Sequence, residues 1–494
     1  MRVLRLAFLA AFALAWISHG ADAEDEHCTV PDTPGIIFLP KTSPPKNLLP
    51  LNEPGKDTPR DCEFYRWAWH TFLYVTQPDK AGRPEFLNYP TFEDVFKKKQ
   101  SPLFAEQRPA TLSLAPRVLF YPNKAPSSAP SEFSDFQQAT VSAILVDQNN
   151  HAVFYALHLN KEFRQFILDY NLNTVDGLKT APSDLEIRPG SVELKSAWLI
   201  VDDPNSFRNY FQTRATIPIF KTLENGKIVP DGTKTREVTV ALLAIHVVGI
   251  IEGHPEFIWA TFEHVQFKND KDRNGVRDNA PASVSNPDQL PVMVSRETKK
   301  YQLYPSGELG AAVPADNANQ PIRTPALKLD TKNQTFSPST PIYRAYPSSQ
   351  ASDPSSTPPT PGEDPEIVDL NQNVRDLFVK KHLDKNDKRA NYQLVGAVWL
   401  NTPRGLPSKN IPADFVEGLA FSNAVKRDPP VLAGEDRLSS TAMESFTQLE
   451  NDPHGNSFPN CFSCHDTQAV AGLNASRLNV SHLFSKFFTA AGQH

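Results

Sequence analysis

The feature that most constrains this chain is a five-residue sequence, Cys461-Phe462-Ser463-Cys464-His465. Two cysteines two residues apart, with a histidine directly after the second, form the attachment signal for c-type haem. The two thiols add to the two vinyl groups of one porphyrin, and the turn between them directs the histidine at the iron. We therefore predict that Cys461 and Cys464 bind one haem c covalently, with His465 as the proximal iron ligand.

Two other interpretations of this motif are open: a redox-active or structural Cys-x-x-Cys pair, and a zinc site. A structural zinc ion needs four protein ligands. The chain contains no second Cys-x-x-Cys and no His-x-x-x-His to supply the other two. Haem attachment also requires export from the cytoplasm, so the motif makes a prediction about the N-terminal end.

The N-terminal residues have the pattern of a secretory signal peptide. Met1–Arg5 is short and basic, Leu6–Ile17 is an unbroken apolar run, and Ala21–Ala23 is a small-x-small cleavage site. We predict a signal peptide over residues 1–23 and a periplasmic or secreted mature protein, with an uncleaved anchor as the alternative. No later stretch approaches the roughly 20 apolar residues of a membrane span, so no span is predicted.

Two cysteines remain outside the motif, Cys28 and Cys62. An oxidising compartment favours a disulfide between them. Such a bridge closes a loop of about 35 residues and is expected to contribute about 3 to 4 kcal/mol.

Composition excludes one class of partner. The 494 residues include 50 Lys and Arg against 56 Asp and Glu, a formal net charge of −6. A mildly acidic protein has no electrostatic basis for binding nucleic acid or anionic membranes.

The 45 prolines favour loops and a substantial β content, because proline interrupts helices. We expect an α+β fold, with a large mixed, β-rich body and a C-terminal helical segment that holds haem c.

The same patterns predict the domain organisation. After the signal peptide, residues 24–336 are expected to form the mixed body. Residues 337–365, rich in proline, serine and threonine, are expected to form a linker. Residues 366–494 are expected to form the C-terminal segment with the covalent haem site.

Apolar periodicity predicts the main elements. Strands are predicted at Ala139–Val146, Val153–Leu159, Leu194–Val201, Val238–Ile251 and Tyr392–Leu400. Helices are predicted at Cys62–Thr76, Phe92–Lys99, Asn160–Asn171, Ile367–Phe378 and Leu438–Glu450. The run Val238–Ile251 is apolar on both faces, which indicates a central strand in a sheet covered on both sides.

The sixth iron ligand has two candidates. Met443 lies on the predicted helix before the motif, and His482 lies after the motif. Methionine and histidine are both established axial ligands of c-type haem. A vacant or water-filled position is the third possibility, and it alone favours catalysis.

An acidic segment resembles a calcium-binding loop. Asp270, Asp272, Asn274 and Asp278 fall at positions 1, 3, 5 and 9 of the twelve-residue pattern, in which oxygen ligands alternate. The twelfth position, normally a bidentate glutamate, is Pro281. The loop is either completed by another residue or is an acidic turn without calcium.

Several buried or strand-end polar residues are candidates for an active site. His246 lies inside a predicted strand, where a hydrogen-bonded core histidine is the commoner role. His254 precedes a proline and is expected at a strand end, with Glu263 as a hydrogen-bond partner. Trp67 and His70 lie on the first predicted helix, where core packing is the simpler explanation.

Segments spread over most of the chain resemble secreted bacterial single-haem proteins grouped as "cytochrome c family protein". The segments are Trp67–Pro78, Lys195–Trp198, His254–His264, Thr441–Glu444, Asn460–His465 and Ser481–Leu483. The resemblance implies a secreted haem protein and does not supply a substrate. Only the haem motif carries residue roles over.

These observations lead to three hypotheses. The first is a periplasmic monohaem cytochrome that transfers electrons to or from a redox partner protein or a small molecule. The second is a haem-dependent oxidoreductase with an open iron site, peroxidase-like or oxidising a small molecule, with His254, Glu263 or His70 as acid or base. The third is a haem-containing ligand-binding or sensor module.

Overall fold

The structure is a computed structural model that describes part of the chain. The described residues are 28, 44–48, 61–79, 82–96, 112–113, 115–116, 144–226, 228–266, 276–277, 327–338, 351–352, 361–362, 365–380, 387–400, 432–434, 440, 442–443, 461–465 and 470–491. The predicted signal peptide, most of the predicted linker and the four calcium-ligand candidates Asp270, Asp272, Asn274 and Asp278 lie outside them.

A large sheet dominates the described part of the chain. The strands are β1 (Leu112–Ser113), β2 (Ala115–Pro116), β3 (Phe154–Leu159), β4 (Val192–Ile200), β5 (Gln212–Thr222), β6 (Ile228–Ile251), β7 (His254–Gln266), β8 (Val276–Arg277), β9 (Lys328–Asp330), β10 (Thr335–Ser337), β11 (Ala351–Ser352), β12 (Pro361–Gly362), β13 (Tyr392–Leu400) and β14 (Leu432–Gly434). Ten of them form one sheet whose main order is β14-β13-β7-β6-β4-β3-β2. The neighbours along this path are antiparallel.

The helices flank this sheet. They are α1 (Asp61–Val75), α2 (Phe92–Phe96), α3 (Lys161–Asp169), α4 (Val175–Thr180), α5 (Pro365–Lys380), α6 (Cys461–Cys464) and α7 (His482–Ala491). Short 3-10 helices span Glu85–Asn88, Lys388–Asn391 and Ser476–Val480. The predicted α+β fold is therefore confirmed.

The predicted central strand is confirmed and is longer than expected. It forms the second half of β6, which pairs with β4 on one side and β7 on the other. The first half of β6 pairs with β5 in a hairpin whose turn contains Asn225 and Gly226. Gly226 has a φ of 81°, a conformation that glycine adopts without strain.

One face of the sheet, called the α1 face here, packs against α1 and α5. Its strand residues include Leu194, Ile245, Val247, Ile258, Phe262, Leu394 and Trp399. The other face, called the α7 face, has alternate residues of the same strands, including Leu157, Leu159, Val248, Phe257, Trp259 and Val398. Side chains of α2, α3, α4, α6 and α7 pack on the α7 face. Both faces are therefore buried along the second half of β6, as its apolar pattern predicted.

Helix α1 confirms the predicted helix and is more deeply buried than expected. Besides the predicted apolar stripe, Trp67 is fully buried and His70 is 7% exposed. The indole nitrogen of Trp69 donates to Oδ1 of Asn371 on α5 at 3.0 Å. Trp67, which the periodicity placed off the centre of the apolar stripe, is buried because its ring lies against Gly249 of β6 and its indole nitrogen donates to the Pro45 carbonyl at 3.1 Å.

Most other predicted elements are found with shifted ends. Strands β3, β4 and β13 and helices α2, α3 and α5 correspond to predictions. Asn160 caps α3, because its side chain accepts from the backbone nitrogen of Phe163 at 2.9 Å. The predicted strand Ala139–Val146 is wrong in its described part, where only Val146 makes an isolated bridge, to Ala152.

The C-terminal part of the chain shares the sheet with the body. Strand β13 pairs with β7 from Tyr392↔His264 to Val398↔Trp259. Trp259 therefore lies on a strand that is held between the body strand β6 and the later strand β13. This arrangement positions it beneath the C-terminal motif.

Candidate functional site

The cysteine motif forms one helical turn, α6. The backbone nitrogen of His465 donates to the carbonyl oxygen of Cys461 at 2.9 Å, which closes the turn. Cys461 is half-buried, whereas Phe462 is 5% exposed and packs among the residues of the α7 face. Phe462 therefore anchors the turn to the sheet and leaves the Cys461 thiol at the edge of the cluster.

The imidazole of His465 is held by three neighbours. Its Nδ1 lies 3.1 Å from the carbonyl oxygen of Val480. Its ring centre lies 4.1 Å from that of Trp259 and 3.9 Å from that of His482, with the two histidine rings only 15° from parallel. A carbonyl oxygen can only accept a hydrogen bond, so Nδ1 carries the proton and Nε2 keeps the lone pair that binds a metal.

The surroundings keep His465 neutral. Burial lowers its pKa well below the ordinary value of 6.5, and the neighbouring His482 and Lys195 lower it further. The hydrogen bond to Val480 acts in the opposite direction and is outweighed. Only neutral imidazole binds a metal ion, so the environment favours the form that a ligand needs.

The segment that supports His465 is itself fixed to the sheet. The Ser481 hydroxyl donates to Oε2 of Glu193 on β4 at 2.8 Å. Leu478 and Val480 are buried against the α7 face. Burial raises the pKa of Glu193, while the Ser481 hydrogen bond and the positive charges of Lys486 and Lys195 partly offset that rise. The Val480 carbonyl is thus held next to His465, because the residues on both sides of Val480, Leu478 and Ser481, are fixed to the sheet.

The residues around the motif fit a covalently bound haem. His465 offers an unprotonated Nε2, and Cys461 offers a thiol on the same helical turn. The indole nitrogen of Trp259 is buried and has no hydrogen-bond partner among the residues that the structure describes. Lys195 and Lys486 add positive charge beside the motif. A buried N–H donor and two ammonium groups suit the carboxylates that a haem carries.

Met443 is fully buried, but the predicted helix around it is wrong in its described part. The Met443 nitrogen donates to the Ser440 carbonyl at 3.1 Å, and the Ala442 nitrogen donates to the Ser440 hydroxyl at 3.2 Å, which forms a turn. Serine hydroxyls compete with helical hydrogen bonding in this way. The Tyr155 hydroxyl also donates to the Ala442 carbonyl at 2.6 Å and thus holds this turn on the sheet.

The sheet register relates Met443 to His465. Tyr155 and Trp259 point to the same, α7 face, but two strands, β4 and β6, lie between β3 and β7 in the sheet. Pairing aligns Tyr155 with Glu263, four residues along β7 from Trp259. The positions of Tyr155 and Trp259 therefore differ by about 13 Å along the strands and by a further ~14 Å across three inter-strand spacings. Met443 and His465 therefore both lie on the α7 face, but at different parts of that face.

A row of polar residues crosses the same face between these two positions. Lys195, His246 and Thr261 occupy paired positions on β4, β6 and β7. Nδ1 of His246 and Oγ1 of Thr261 are hydrogen-bonded at 2.8 Å. His246 is 8% exposed, so it is a hydrogen-bonded core residue, as the simpler interpretation predicted.

The other candidate acid–base residues are divided between the two faces. His254 lies on the α1 face, where its Nδ1 donates to Glu256 at 2.8 Å and its ring meets Phe64 edge-on. The prediction that Glu263 partners His254 is wrong, because neighbouring odd and even positions of β7 point to opposite faces. His70 also belongs to the α1 side, on α1. Of these candidates, Glu263 shares the face of His465.

Cys28 and Cys62 form the predicted disulfide, with a Cα–Cα distance of 5.6 Å. The bridge ties Cys28 to the start of α1. Disulfides are typical of proteins in oxidising compartments. Among the described residues, none of the helices is both long and apolar enough to cross a membrane.

The calcium prediction stays a prediction. Val276 and Arg277, within the candidate loop, form β8 and pair with the end of β7. In the part of the chain that the structure describes, no cluster of three or more His, Cys, Asp or Glu side chains is arranged to hold a metal ion.

Comparisons with known proteins give no relative. A scan against models of protein families, a search of curated proteins and a search of solved structures found no match to this chain. The interpretation of the site therefore rests on its residues and their geometry.

Sequence reasoning missed several residues that build this site. Val480, Ser481 and Glu193 were not singled out, because their roles depend on a contact between β4 and a segment almost 300 residues later. Trp259 was not singled out either. The available signal was the tryptophan itself, because the N–H of its indole needs a hydrogen-bond partner when the ring is buried.

Proposed function

We propose that this chain is a periplasmic or secreted monohaem c-type cytochrome that transfers electrons. Cys461 and Cys464 are the attachment residues and His465 is the proximal ligand. The single observation that carries the proposal is the hydrogen bond from Nδ1 of His465 to the Val480 carbonyl. It fixes the tautomer whose Nε2 binds iron, and it occurs directly after a Cys-x-x-Cys turn.

When bound, haem supplies an iron that cycles between the ferrous and ferric states. The protein orients the proximal imidazole through Val480 and keeps it neutral by burial. The rings of Trp259 and His482 pack against this imidazole. Burial and hydrogen bonding of this kind set the potential of a redox centre.

The first experiment changes the attachment residues. Cys461→Ala/Cys464→Ala is expected to abolish covalent haem in protein matured in a host that exports and attaches haem c. Ser463→Ala is the matched control, because it alters the same turn without removing a thiol, and it should keep full haem content. The readout is haem that stays with the denatured polypeptide. Haem retained by the double variant contradicts the proposal.

A second function, a haem-dependent oxidoreductase with an open iron site, is supported by one observation. The polar row Lys195, His246 and Thr261 interrupts an apolar sheet face beside the motif. Polar groups buried near a cofactor are typical of catalytic pockets. Carbon monoxide distinguishes the two functions: a reduced protein that binds it readily supports the oxidoreductase, and one that ignores it supports the electron carrier.

A further inference from the structure

We propose that His482 is a positioning residue that stacks on the proximal ligand His465, and that the iron coordination site opposite His465 is left to a different group. The inference rests on the proposed function, because it concerns the same haem site. It assigns to His482 a role other than the axial ligation that its place in the sequence suggests.

The distance between the two rings carries the argument. A histidine nitrogen binds a metal at about 2 Å and its ring centre lies about 1 Å further away, so two imidazoles on opposite sides of one ion have centres about 6 Å apart. The ring centres of His465 and His482 are 3.9 Å apart and the planes differ by 15°. This is a face-to-face stack. Two rings in face-to-face contact cannot reach one iron from opposite sides.

The backbone on both sides of His482 is anchored, so the ring is not free to move to the far side of an iron. Ser481 is 1% exposed and is hydrogen-bonded to Glu193 at 2.8 Å. Leu483 and Phe484, which follow it, are 2% and 0% exposed among the residues of the α7 face. A relocation of His482 would require these contacts to break.

The stack has a consequence for His465. The hydrogen bond to Val480 fixes one edge of the proximal ring, and contact with a parallel ring restricts its rotation about the bond to the metal. Groups that orient a metal ligand in this way tune the metal without touching it. His482 therefore acts through His465.

The test compares His482→Phe, which keeps a flat ring, with His482→Ala, which removes it. Ser485→Ala is the matched control on α7, because it removes a hydroxyl that donates to the His482 carbonyl at 3.2 Å and leaves both imidazole rings in place. Three measurements are made on the matured haem-bearing proteins. Haem retained after denaturation reports attachment, the visible spectrum reports the iron spin state, and the paramagnetic NMR shifts of the haem methyl groups report the orientation of the axial imidazole.

We expect all variants to keep covalent haem and the parent spin state. His482→Phe and Ser485→Ala should keep the parental methyl shifts, whereas His482→Ala should change them. A low-spin parent that becomes high-spin in His482→Phe overturns the inference, because His482 is then a ligand. Identical methyl shifts in His482→Ala and the parent also overturn it.

The failure of the proposed function is a separate result. If the parent protein carries no covalent haem, both the function and the inference fall. If the parent carries haem and His482→Phe loses its low-spin spectrum, only the inference falls. Covalent attachment is measured as the haem that stays with the denatured polypeptide, so this measurement does not depend on the role of His482.

Discussion

The hydroxyl of Tyr155 donates a hydrogen bond to the carbonyl oxygen of Ala442 at 2.6 Å, which joins residues 287 positions apart in the sequence. Both residues are fully buried. This contact fastens the turn that contains Met443 to strand β3. It therefore helps to determine where the methionine lies on the α7 face.

Tyr155→Phe is expected to destabilise the protein by about 1 to 3 kcal/mol, because it leaves the buried Ala442 carbonyl without its donor. The measurement is urea unfolding at constant pH. Tyr170→Phe is the control, since Tyr170 is 40% exposed and its variant should unfold with the parent. Equal stability of Tyr155→Phe and the parent would contradict this account of the turn.

Gly249→Ala is expected to destabilise the central strand by overpacking. A Cβ atom at Gly249 would lie 2.7 Å from the Trp67 ring, and that ring is fixed because its nitrogen donates to the Pro45 carbonyl at 3.1 Å. Overpacking of a core costs about 1 to 3 kcal/mol. Thermal unfolding measures the loss. Gly82→Ala is a control in which a Cβ atom meets no neighbour within 4 Å, although its positive φ adds local strain.

Loss of the Cys28–Cys62 disulfide is expected to lower the free energy of unfolding by about 3 to 4 kcal/mol. The two residues are 34 positions apart, and the estimate follows from the chain entropy that a loop of this length removes from the unfolded state. Guanidinium unfolding of Cys28→Ser/Cys62→Ser gives the difference. A loss below about 1 kcal/mol would contradict this estimate of the entropy that the bridge removes from the unfolded state.

The buried carboxyl group of Asp147 is expected to make the free energy of unfolding depend on pH. Burial raises its pKa from 3.8 to about 8, against the opposing hydrogen bond from the His151 nitrogen. Between these two values the folded state binds a proton that the unfolded state has lost, so this group makes stability fall as the pH rises from about 4 to about 8. Asp147→Asn removes the titration and keeps an oxygen that accepts from His151.

Asp147→Asn is therefore expected to be more stable than the parent near neutral pH, by about 2 to 4 kcal/mol, and similar to it near pH 4. Urea unfolding at about pH 4.5 and about pH 7.5 measures both differences. Asp169→Asn is the contrasting control. Hydrogen bonds from Gln165 and Arg188 lower the pKa of Asp169, so its loss should not stabilise the protein at neutral pH. A parallel pH profile for Asp147→Asn and the parent would contradict the assignment.

The elements that the sequence predicted well are those whose apolar pattern is determined by local burial. The second half of β6 and strands β3, β4 and β13 are rich in apolar residues that are buried in the sheet. Helix α3 shows a clear cap at Asn160. The cysteine motif predicted its own helical turn, because the turn needs only residues 461–465.

The elements and contacts that the sequence did not predict have either a weak local pattern or a cause that lies far away in the chain. Strand β5 alternates exposed and buried residues and contains Pro218, which lowered its strand signal, although Asn225-Gly226 is a strong hairpin signal. The turn at Met443 replaced a predicted helix because Tyr155, far away in sequence, binds the Ala442 carbonyl. The site contacts of His465 with Trp259 and Val480 depend on sheet register, which no local pattern specifies.

The central claim is that this chain carries one covalent haem on Cys461 and Cys464, and intact-mass spectrometry of the denatured mature protein tests it most directly. The account predicts a single species heavier than the polypeptide by one haem, with the haem on the peptide that contains both cysteines. A polypeptide of unmodified mass, purified from a host that attaches haem c to other exported proteins, would contradict the account.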